Sequence, residues 1–122
     1  MNLPEGDEEY LNSKKFAWEL IPNGDDGFLI IKNYRINDAK FDRNSADLML
    51  RIPARYNLAK LDMWYTDPAV RVKASGVYPH KADSFEMHVG RKWQRFSRHL
   101  PNWRAGVDGL PMFLTFVNQE LH

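Results

Sequence analysis

The 122-residue chain contains no cysteine, which excludes disulfide bonds, thiolate-bound zinc and a thioester intermediate on this chain. It also contains no apolar run close to the ~20 residues that a membrane-spanning helix needs. Neither charge sign dominates, because 17 Lys and Arg residues against 16 Asp and Glu residues leave a net charge of +1. Bulk charge therefore favours neither a nucleic-acid-binding protein nor a membrane-surface protein, and we expect no membrane partner.

Length and composition indicate one globular domain. A chain of this size falls within the roughly 100–200 residues of a typical domain, which predicts a single domain over residues 1–122. Apolar residues make up 43% of the chain and include seven Phe, five Tyr and four Trp, which is enough to build a core. The first ten residues are acidic and lack the basic-then-apolar order of a signal peptide. We therefore expect a cytoplasmic protein.

Four segments in the first half of the chain have the composition of β-strands. Before them, acidic residues after Pro4 predict a short N-terminal helix, because acids complement the dipole of a helix start. A stretch rich in turn residues then separates the first two strands and predicts a hairpin. The predicted strands are Phe16–Ile21, Phe28–Ile31, Ala46–Ile52 and Leu61–Thr66. Because consecutive strands usually pair, these segments predict a four-stranded antiparallel meander.

The periodicity fades between Ala69 and Gly109, where glycine and proline recur. We predict a long irregular segment here, with Phe85–Val89 as the best candidate for an extra strand. Long segments of this kind often carry the functional residues of a domain.

The end of the chain has the pattern of a helix. Its apolar residues recur at helical spacing, which predicts one core-facing stripe: Leu110, Phe113, Leu114, Val117 and Leu121. Asp108 is predicted to cap the helix, with Pro111 in its first turn. The predicted fold class is therefore α+β, with a short N-terminal helix, a four-stranded antiparallel meander, a long irregular segment and a C-terminal helix.

The densest chemical feature is the segment Arg91–Arg104, which holds five Arg or Lys residues, one His, two Trp and no acid. In one interpretation its aromatic side chains pack in the core while the arginines reach solvent. In a second, it forms a binding surface for an acidic partner or for single-stranded nucleic acid. In a third, Ser97 and His99 belong to an active site, because a serine nucleophile needs a base. A Ser-x-His pair on an extended segment points both side chains the same way, but no third, orienting carboxylate is identifiable.

Other candidate sites are weaker. Three histidines have a spacing that matches no compact metal motif, so no metal site is predicted from His80, His88 and His99. The chain has no glycine-rich phosphate loop. We therefore predict no cofactor, and we expect Tyr56 to serve packing rather than catalysis.

Several longer strings resemble parts of the ubiquitin-conjugating fold. Leu48–Tyr56 and Leu61–Pro68 resemble its third strand, its proline-tyrosine turn and its fourth strand. Trp93–His99, followed by Trp103 and Gly106–Leu110, resembles the signature of the prokaryotic ubiquitin-conjugating (E2-like) family E. The order of parts agrees as well, since a short helix and a meander precede a long crossing, a tryptophan and a helix. The resemblance covers almost the whole chain.

This resemblance implies an E2-like component of a bacterial ubiquitin-like conjugation pathway. The partners that it implies are a ubiquitin-like modifier protein, an adenylating activating enzyme and a JAB-type peptidase of the same pathway. Such a component would receive the C-terminus of the modifier from the activating enzyme and pass it on. The chain departs from the wider fold because it has no cysteine at the position of transfer. An active protein would therefore be a ubiquitin-like protein transferase without a catalytic cysteine.

By the same resemblance, counting back from Trp103 places the transfer position near Arg95, and Ser97 is the nearest nucleophile. If Ser97 acts, the intermediate is an oxyester, and His99 is expected to assist as the base. Positive charge and an oxyanion donor would have to help, because an alkoxide forms less readily than a thiolate. The residues expected to bind the tail of the modifier are Trp93, Arg95, Arg98, Asn102 and Trp103.

Two alternatives remain beside the transferase. In the first, the protein is a catalytically inactive E2-like scaffold that binds the modifier or the activating enzyme. The missing cysteine favours this scaffold, whereas the Ser-x-His pair favours the transferase. In the second, the basic aromatic segment binds single-stranded nucleic acid, which strongly salt-dependent binding to oligonucleotides would support. Because the net charge is balanced, nucleic-acid binding is the least favoured of the three hypotheses.

Overall fold

The computed structural model describes all residues from 1 to 122 and contains two helices and six strands. In chain order the elements are α1 (Glu5–Ser13), β1 (Ala17–Asn23), β2 (Asp26–Arg35), β3 (Ser45–Ile52), β4 (Trp64–Asp67), β5 (Ser84–His88), β6 (Arg91–Phe96) and α2 (Leu110–Leu121). The predicted α+β class, with a short helix at one end and a longer helix at the other, agrees with this order.

One antiparallel sheet contains all six strands in the order β1-β2-β3-β4-β6-β5. The first four strands form the predicted meander, but the predicted strand number is wrong. A hairpin of β5 and β6 extends the sheet beyond β4, so the segment 69–109 is only partly irregular. The suggested extra strand at Phe85–Val89 corresponds to β5, whereas β6 was not predicted.

Strand β6 does not have the sequence pattern of a half-buried strand, because three of its six residues are charged. Arg91, Trp93 and Arg95 face one side of the sheet, and the guanidinium of Arg91 lies 4.4 Å from the centre of the Trp93 ring. The charged side chains thus cover an apolar neighbour, and the expected alternation of apolar and polar residues is lost. On the opposite side, Gln94 and Phe96 are buried.

The main core lies between the inner face of the sheet and the two helices. Leu11 of α1 is buried against it, and the predicted stripe of α2 is confirmed, since all five of its residues are buried. A smaller cluster on the outer face of the sheet consists of strand residues alone: Phe28, Ile30, Met49, Tyr65 and Trp93. Neither helix has the length and apolar character that a membrane crossing requires.

The predicted cap of α2 is wrong. Gly109 precedes the helix, and the carboxylate of Asp108 instead accepts hydrogen bonds from the backbone N–H and the Nε–H of Arg104, at 2.7 and 2.9 Å. The hydroxyl of Tyr56 takes the capping position, because it accepts from the backbone N–H of Leu110 at 2.6 Å. A side chain from the loop after β3 therefore accepts one of the backbone N–H groups that have no partner within the terminal helix.

Candidate functional site

Ser97 is the first residue beyond β6 and lies at a half-exposed position. Its backbone N–H donates to the carbonyl of Lys81 at 3.0 Å, which fixes the backbone at this point. Its hydroxyl oxygen accepts a hydrogen bond from Nε of Arg95 at 3.1 Å. No side chain or carbonyl of the chain accepts the hydroxyl proton, so the structure provides Ser97 with a cation but with no base.

Arg95 is itself held by a carboxylate on the neighbouring strand. Its Nη1 lies 2.7 Å from Oε2 of Glu86, whose other oxygen accepts from the Tyr65 hydroxyl at 3.2 Å and from the His88 ring at 2.8 Å. Burial raises the pKa of Glu86, but these hydrogen bonds outweigh burial and hold its pKa below the usual value. Glu86 is therefore an ionised anchor that orients Arg95 toward Ser97.

His99 does not pair with Ser97. Its Nδ1 lies 2.5 Å from Oδ1 of Asp62, and no hydrogen bond joins the two predicted catalytic side chains. The pairing follows from the sheet, because the Met63 N–H donates to the carbonyl of Arg98 at 3.1 Å and thereby extends the β4–β6 ladder. Asp62 is thus the orienting carboxylate that sequence reasoning did not identify, and only the strand register could have revealed it.

Arg98 is directed toward the terminal helix. Its Nε lies 3.3 Å from Oε1 of Glu120, and its Nη1 donates to the carbonyl of His80. Arg98 therefore ties the end of β6 to α2 and to the segment before β5, on the opposite side from the Arg95 guanidinium.

The two predicted tryptophans differ in accessibility. Trp93 is fully buried, and its Nε1 donates to the carbonyl of His88 at 3.0 Å, so its ring cannot touch a partner in this conformation. Trp103 is half-buried and donates to the carbonyl of Asn57 at 3.0 Å. Asn102 is exposed and has a backbone φ of 60°. Of these three residues, only Asn102 and the exposed part of Trp103 can meet a partner.

The structure brings Arg95 and Ser97 together but leaves the other predicted residues apart. We call residues 95–104 the exit segment, because the chain leaves the sheet here. The exit segment offers a hydroxyl beside a guanidinium, an exposed His–Asp pair and an exposed amide. This arrangement can bind a carboxylate or a polar peptide, whereas a nucleophilic attack by Ser97 lacks a positioned base.

A buried amide positions the chain behind the site. Gln94 Oε1 accepts from the Thr66 hydroxyl at 2.9 Å and from the Val70 N–H at 2.7 Å. Its Nε2 donates to the carbonyls of Val70 and Ala82, at 2.9 and 2.8 Å. All four hydrogen-bonding positions of the amide are therefore used, and they fix the segments that enter and leave the region before β5.

The histidines do not form a metal centre. His88 binds Glu86 and His99 binds Asp62, in separate places. No three His, Asp or Glu side chains converge in a geometry that could hold a metal ion.

Comparison with known protein families gives a match over almost the whole chain. The model of the family described as prokaryotic E2 family E matches residues 3–122, which is almost the entire chain. Searches of curated proteins and of solved structures gave no significant match. The family match covers both helices, all six strands and the whole exit segment.

Proposed function

The chain belongs to prokaryotic E2 family E and thus has an E2-like role in ubiquitin-like conjugation, and we propose that it fills this role as a non-covalent carrier. In this proposal the protein binds the extended C-terminal tail of a ubiquitin-like modifier and presents it to an adenylating activating enzyme. A JAB-type peptidase would act on the products of the same pathway. The observation that carries the proposal is the state of the Ser97 hydroxyl, which meets an arginine and no base.

Covalent transfer of the modifier would require a nucleophile together with a base that takes its proton. A covalent carrier needs a group that attacks the activated carbonyl of the modifier, and the chain has no thiol. A serine hydroxyl attacks only when a neighbouring group takes its proton, and the His99 ring is bound to Asp62 instead. The hydrogen bond from Arg95 to Ser97 stabilises negative charge on the oxygen without removing the proton. Binding therefore fits the site better than covalent transfer.

The surface for the tail would be the exposed part of the exit segment. Arg95 and Asn102 offer hydrogen-bond donors to an extended peptide, and the exposed part of Trp103 offers apolar surface. Trp93 is excluded from this surface by its burial. Each of the three arginines in the segment 95–104 already pairs with a carboxylate from elsewhere in the fold, so the tail would bind here through hydrogen bonds to Arg95 and Asn102 rather than through unpaired positive charge.

Binding of the modifier can be measured by calorimetry with the purified proteins. We expect the Asn102→Asp variant to bind the modifier at least about threefold more weakly, because the new carboxylate faces the tail. Asn23→Asp is the matched control, since it makes the same change at the far end of the sheet and should leave the affinity unaltered. Equal weakening in both variants would argue against the exit segment as the binding surface.

A charging assay tests the absence of a covalent intermediate. Wild-type protein, activating enzyme, modifier and ATP are incubated, and the products are separated after denaturation. We expect the modifier to bind without any adduct that survives denaturation. An adduct that resists thiol, breaks in mild hydroxide and is missing in Ser97→Ala would contradict the carrier proposal.

That contradicting outcome would support a second candidate, an oxyester-forming transferase. Two observations favour it: the Arg95 guanidinium at 3.1 Å from the Ser97 oxygen, and the nearby His99–Asp62 pair. In this mechanism the Ser97 oxygen attacks the carbonyl of the modifier's adenylate, and AMP leaves. The hydroxyl proton passes to His99, whose ring would first have to turn toward Ser97. Loss of the adduct in His99→Asn as well as in Ser97→Ala would identify this route.

A further inference from the structure

Strand β5 is an outermost strand of the sheet, because it pairs with β6 on one side only. We propose that its free edge binds the C-terminal tail of the ubiquitin-like modifier as an added, seventh strand. This inference rests on the proposed function, and it specifies how the tail is held.

The hairpin geometry shows which backbone groups of β5 are free. Val89 and Gly90 both have positive φ, at 47° and 75°, as in a two-residue turn of type I′. Such a turn is closed by a hydrogen-bonded pair, here His88 and Arg91, and hydrogen-bonded pairs then alternate along the ladder. The N–H and C=O groups of Phe85 and Met87 therefore point away from β6, and neither residue makes a backbone hydrogen bond in a turn or loop.

This edge has no proline, lysine or bulge to block pairing, and its one acidic residue, Glu86, is held by Arg95 of the neighbouring strand. Natural edge strands are often blocked by proline, lysine or a bulge. The opposite edge of the sheet, β1, carries Pro22. Strand β5 has the sequence SFEMH with neither proline nor lysine, and its residue Met87 is 66% exposed. An apolar residue of an added strand would cover Met87, and main-chain hydrogen bonds would supply affinity.

One unpaired lysine, Lys81, favours a tail that runs antiparallel to β5. This direction brings the terminal carboxylate to the Ser84 end, where Ser84 lies opposite Arg95 in the ladder. Lys81 lies just before this end, is exposed and has no acidic partner. A cleft of about 470 Å³, lined by residues 77–81 and Asp83, opens at the same end. The carboxylate would thus meet Lys81 close to the exit segment.

A second copy of the chain fits this edge less well. If two β5 strands paired antiparallel over their full length, Glu86 of one copy would lie directly opposite Glu86 of the other. Like charges in directly opposite positions destabilise a strand pair. A modifier tail need not place an acidic residue opposite Glu86.

The test uses the full-length protein and a synthetic peptide of about ten residues from the C-terminus of the modifier, which is longer than the strand it would pair with. We expect the peptide to slow hydrogen exchange of the Phe85 and Met87 amides, while the amides of β1 do not change. Met87→Pro removes one outward N–H and should bind the peptide about threefold to tenfold more weakly than Met87→Ala. Met87→Ala is the matched control, because it also lacks the long side chain but keeps the N–H.

A second probe makes the test independent of the folding of the proline variant. N-methylation of the alternate peptide nitrogens that would face β5 should abolish binding, whereas methylation of the other alternate set should not. An amidated peptide should lose affinity for wild type but not for Lys81→Gln. These two results together would establish the edge and the direction.

Binding of the intact modifier without protection of Phe85 and Met87, or with equal affinity for both Met87 variants, overturns the edge proposal and leaves the proposed function standing. Protection that grows with protein concentration in the absence of peptide would assign the edge to a second copy. If neither the modifier nor the peptide binds, both proposals are overturned.

Discussion

The hydroxyl of Tyr56 lies 2.6 Å from a carboxylate oxygen of Asp7 in α1. The same hydroxyl accepts the backbone N–H of Leu110 at 2.6 Å, so one side chain joins the loop after β3 to both helices. Burial raises the pKa of Tyr56, which therefore stays protonated and donates to Asp7. The expected role of Tyr56 in packing is thus extended by a specific hydrogen-bonding role.

Replacement of Tyr56 by phenylalanine should destabilise the protein. The Tyr56→Phe variant loses its hydrogen bond to Asp7 and leaves the Leu110 N–H without an acceptor, at a cost of about 1–3 kcal/mol. Urea denaturation followed by circular dichroism measures the free energy of unfolding. Tyr10→Phe is the matched control, because the Tyr10 hydroxyl makes no hydrogen bond and its loss should cost less than about 0.5 kcal/mol. Equal midpoints for both variants would contradict the bridging role.

Asp7 should make stability fall as pH rises. Burial raises the pKa of Asp7 above its ordinary value of 3.8, and the hydrogen bond from Tyr56 offsets only part of this rise. The folded state therefore binds the proton more tightly than the unfolded state. The resulting contribution to stability is complete below the unfolded pKa and is lost as pH rises through the folded pKa. Asp7→Asn keeps an oxygen acceptor for Tyr56 without a charge. Its stability relative to wild type should increase as the pH is raised from about 3 to about 7. A constant difference across this range would contradict the raised pKa.

Local patterns predicted the ends of the fold better than its middle. The stripe of α2 was visible in the sequence because helical periodicity is a property of neighbouring residues. Strand β6 was not visible, because its pairing partners β4 and β5 supply the surface that Trp93 and Phe96 cover. The wrong cap at Asp108 has a similar cause, since Tyr56 reaches the helix start from another part of the chain.

In the site, too, residues close together in sequence could be predicted, whereas contacts between distant parts of the chain could not. Ser97 and His99 could be selected from the sequence because they lie two residues apart. Ser97 is linked through Arg95 to Glu86 of β5, and His99 pairs with Asp62 in the loop before β4, so both partnerships depend on how the strands pair. A sequence shows which side chains are reactive, whereas the sheet decides which of them meet.

Gln94 should be one of the least replaceable residues. Gln94→Leu has a similar volume but leaves the Val70 N–H and the carbonyls of Val70 and Ala82 without buried partners. We expect a loss of more than about 3 kcal/mol in the free energy of unfolding, since each unsatisfied buried group costs about 1–3 kcal/mol. Thr66→Val removes only one of the four hydrogen bonds and should cost about 1 kcal/mol. Denaturation midpoints that rank Thr66→Val as the more damaging change would refute this account.

Asp108 should contribute stability with the opposite pH dependence. Hydrogen bonds from the side chain and backbone of Arg104 lower the pKa of Asp108 below 3.8. Its contribution is therefore present above the unfolded pKa and is lost as pH falls through the folded pKa. Asp108→Asn should be less stable than wild type at neutral pH, and the difference should shrink below pH 3.8. Asp25→Asn, at an exposed turn residue without a hydrogen-bond partner, is the control and should change stability little at neutral pH. A gap between Asp108→Asn and wild type that widens in acid would exclude the lowered pKa.

A thiol placed at residue 97 should convert the carrier into a covalent one. In Ser97→Cys the guanidinium of Arg95 would lie beside the sulfur and lower the thiol pKa, so a thiolate could form without a base. With the activating enzyme, the modifier and ATP, we expect an adduct that thiol reagents break, whereas wild type forms none. Adding Arg95→Gln should reduce the yield, because the neighbouring cation is lost. Ser13→Cys introduces an exposed thiol in α1, away from the exit segment, and should form no adduct. If Ser97→Cys binds the modifier but forms no adduct, the tail ends out of reach of residue 97, and the missing cysteine alone would not explain the lack of transfer.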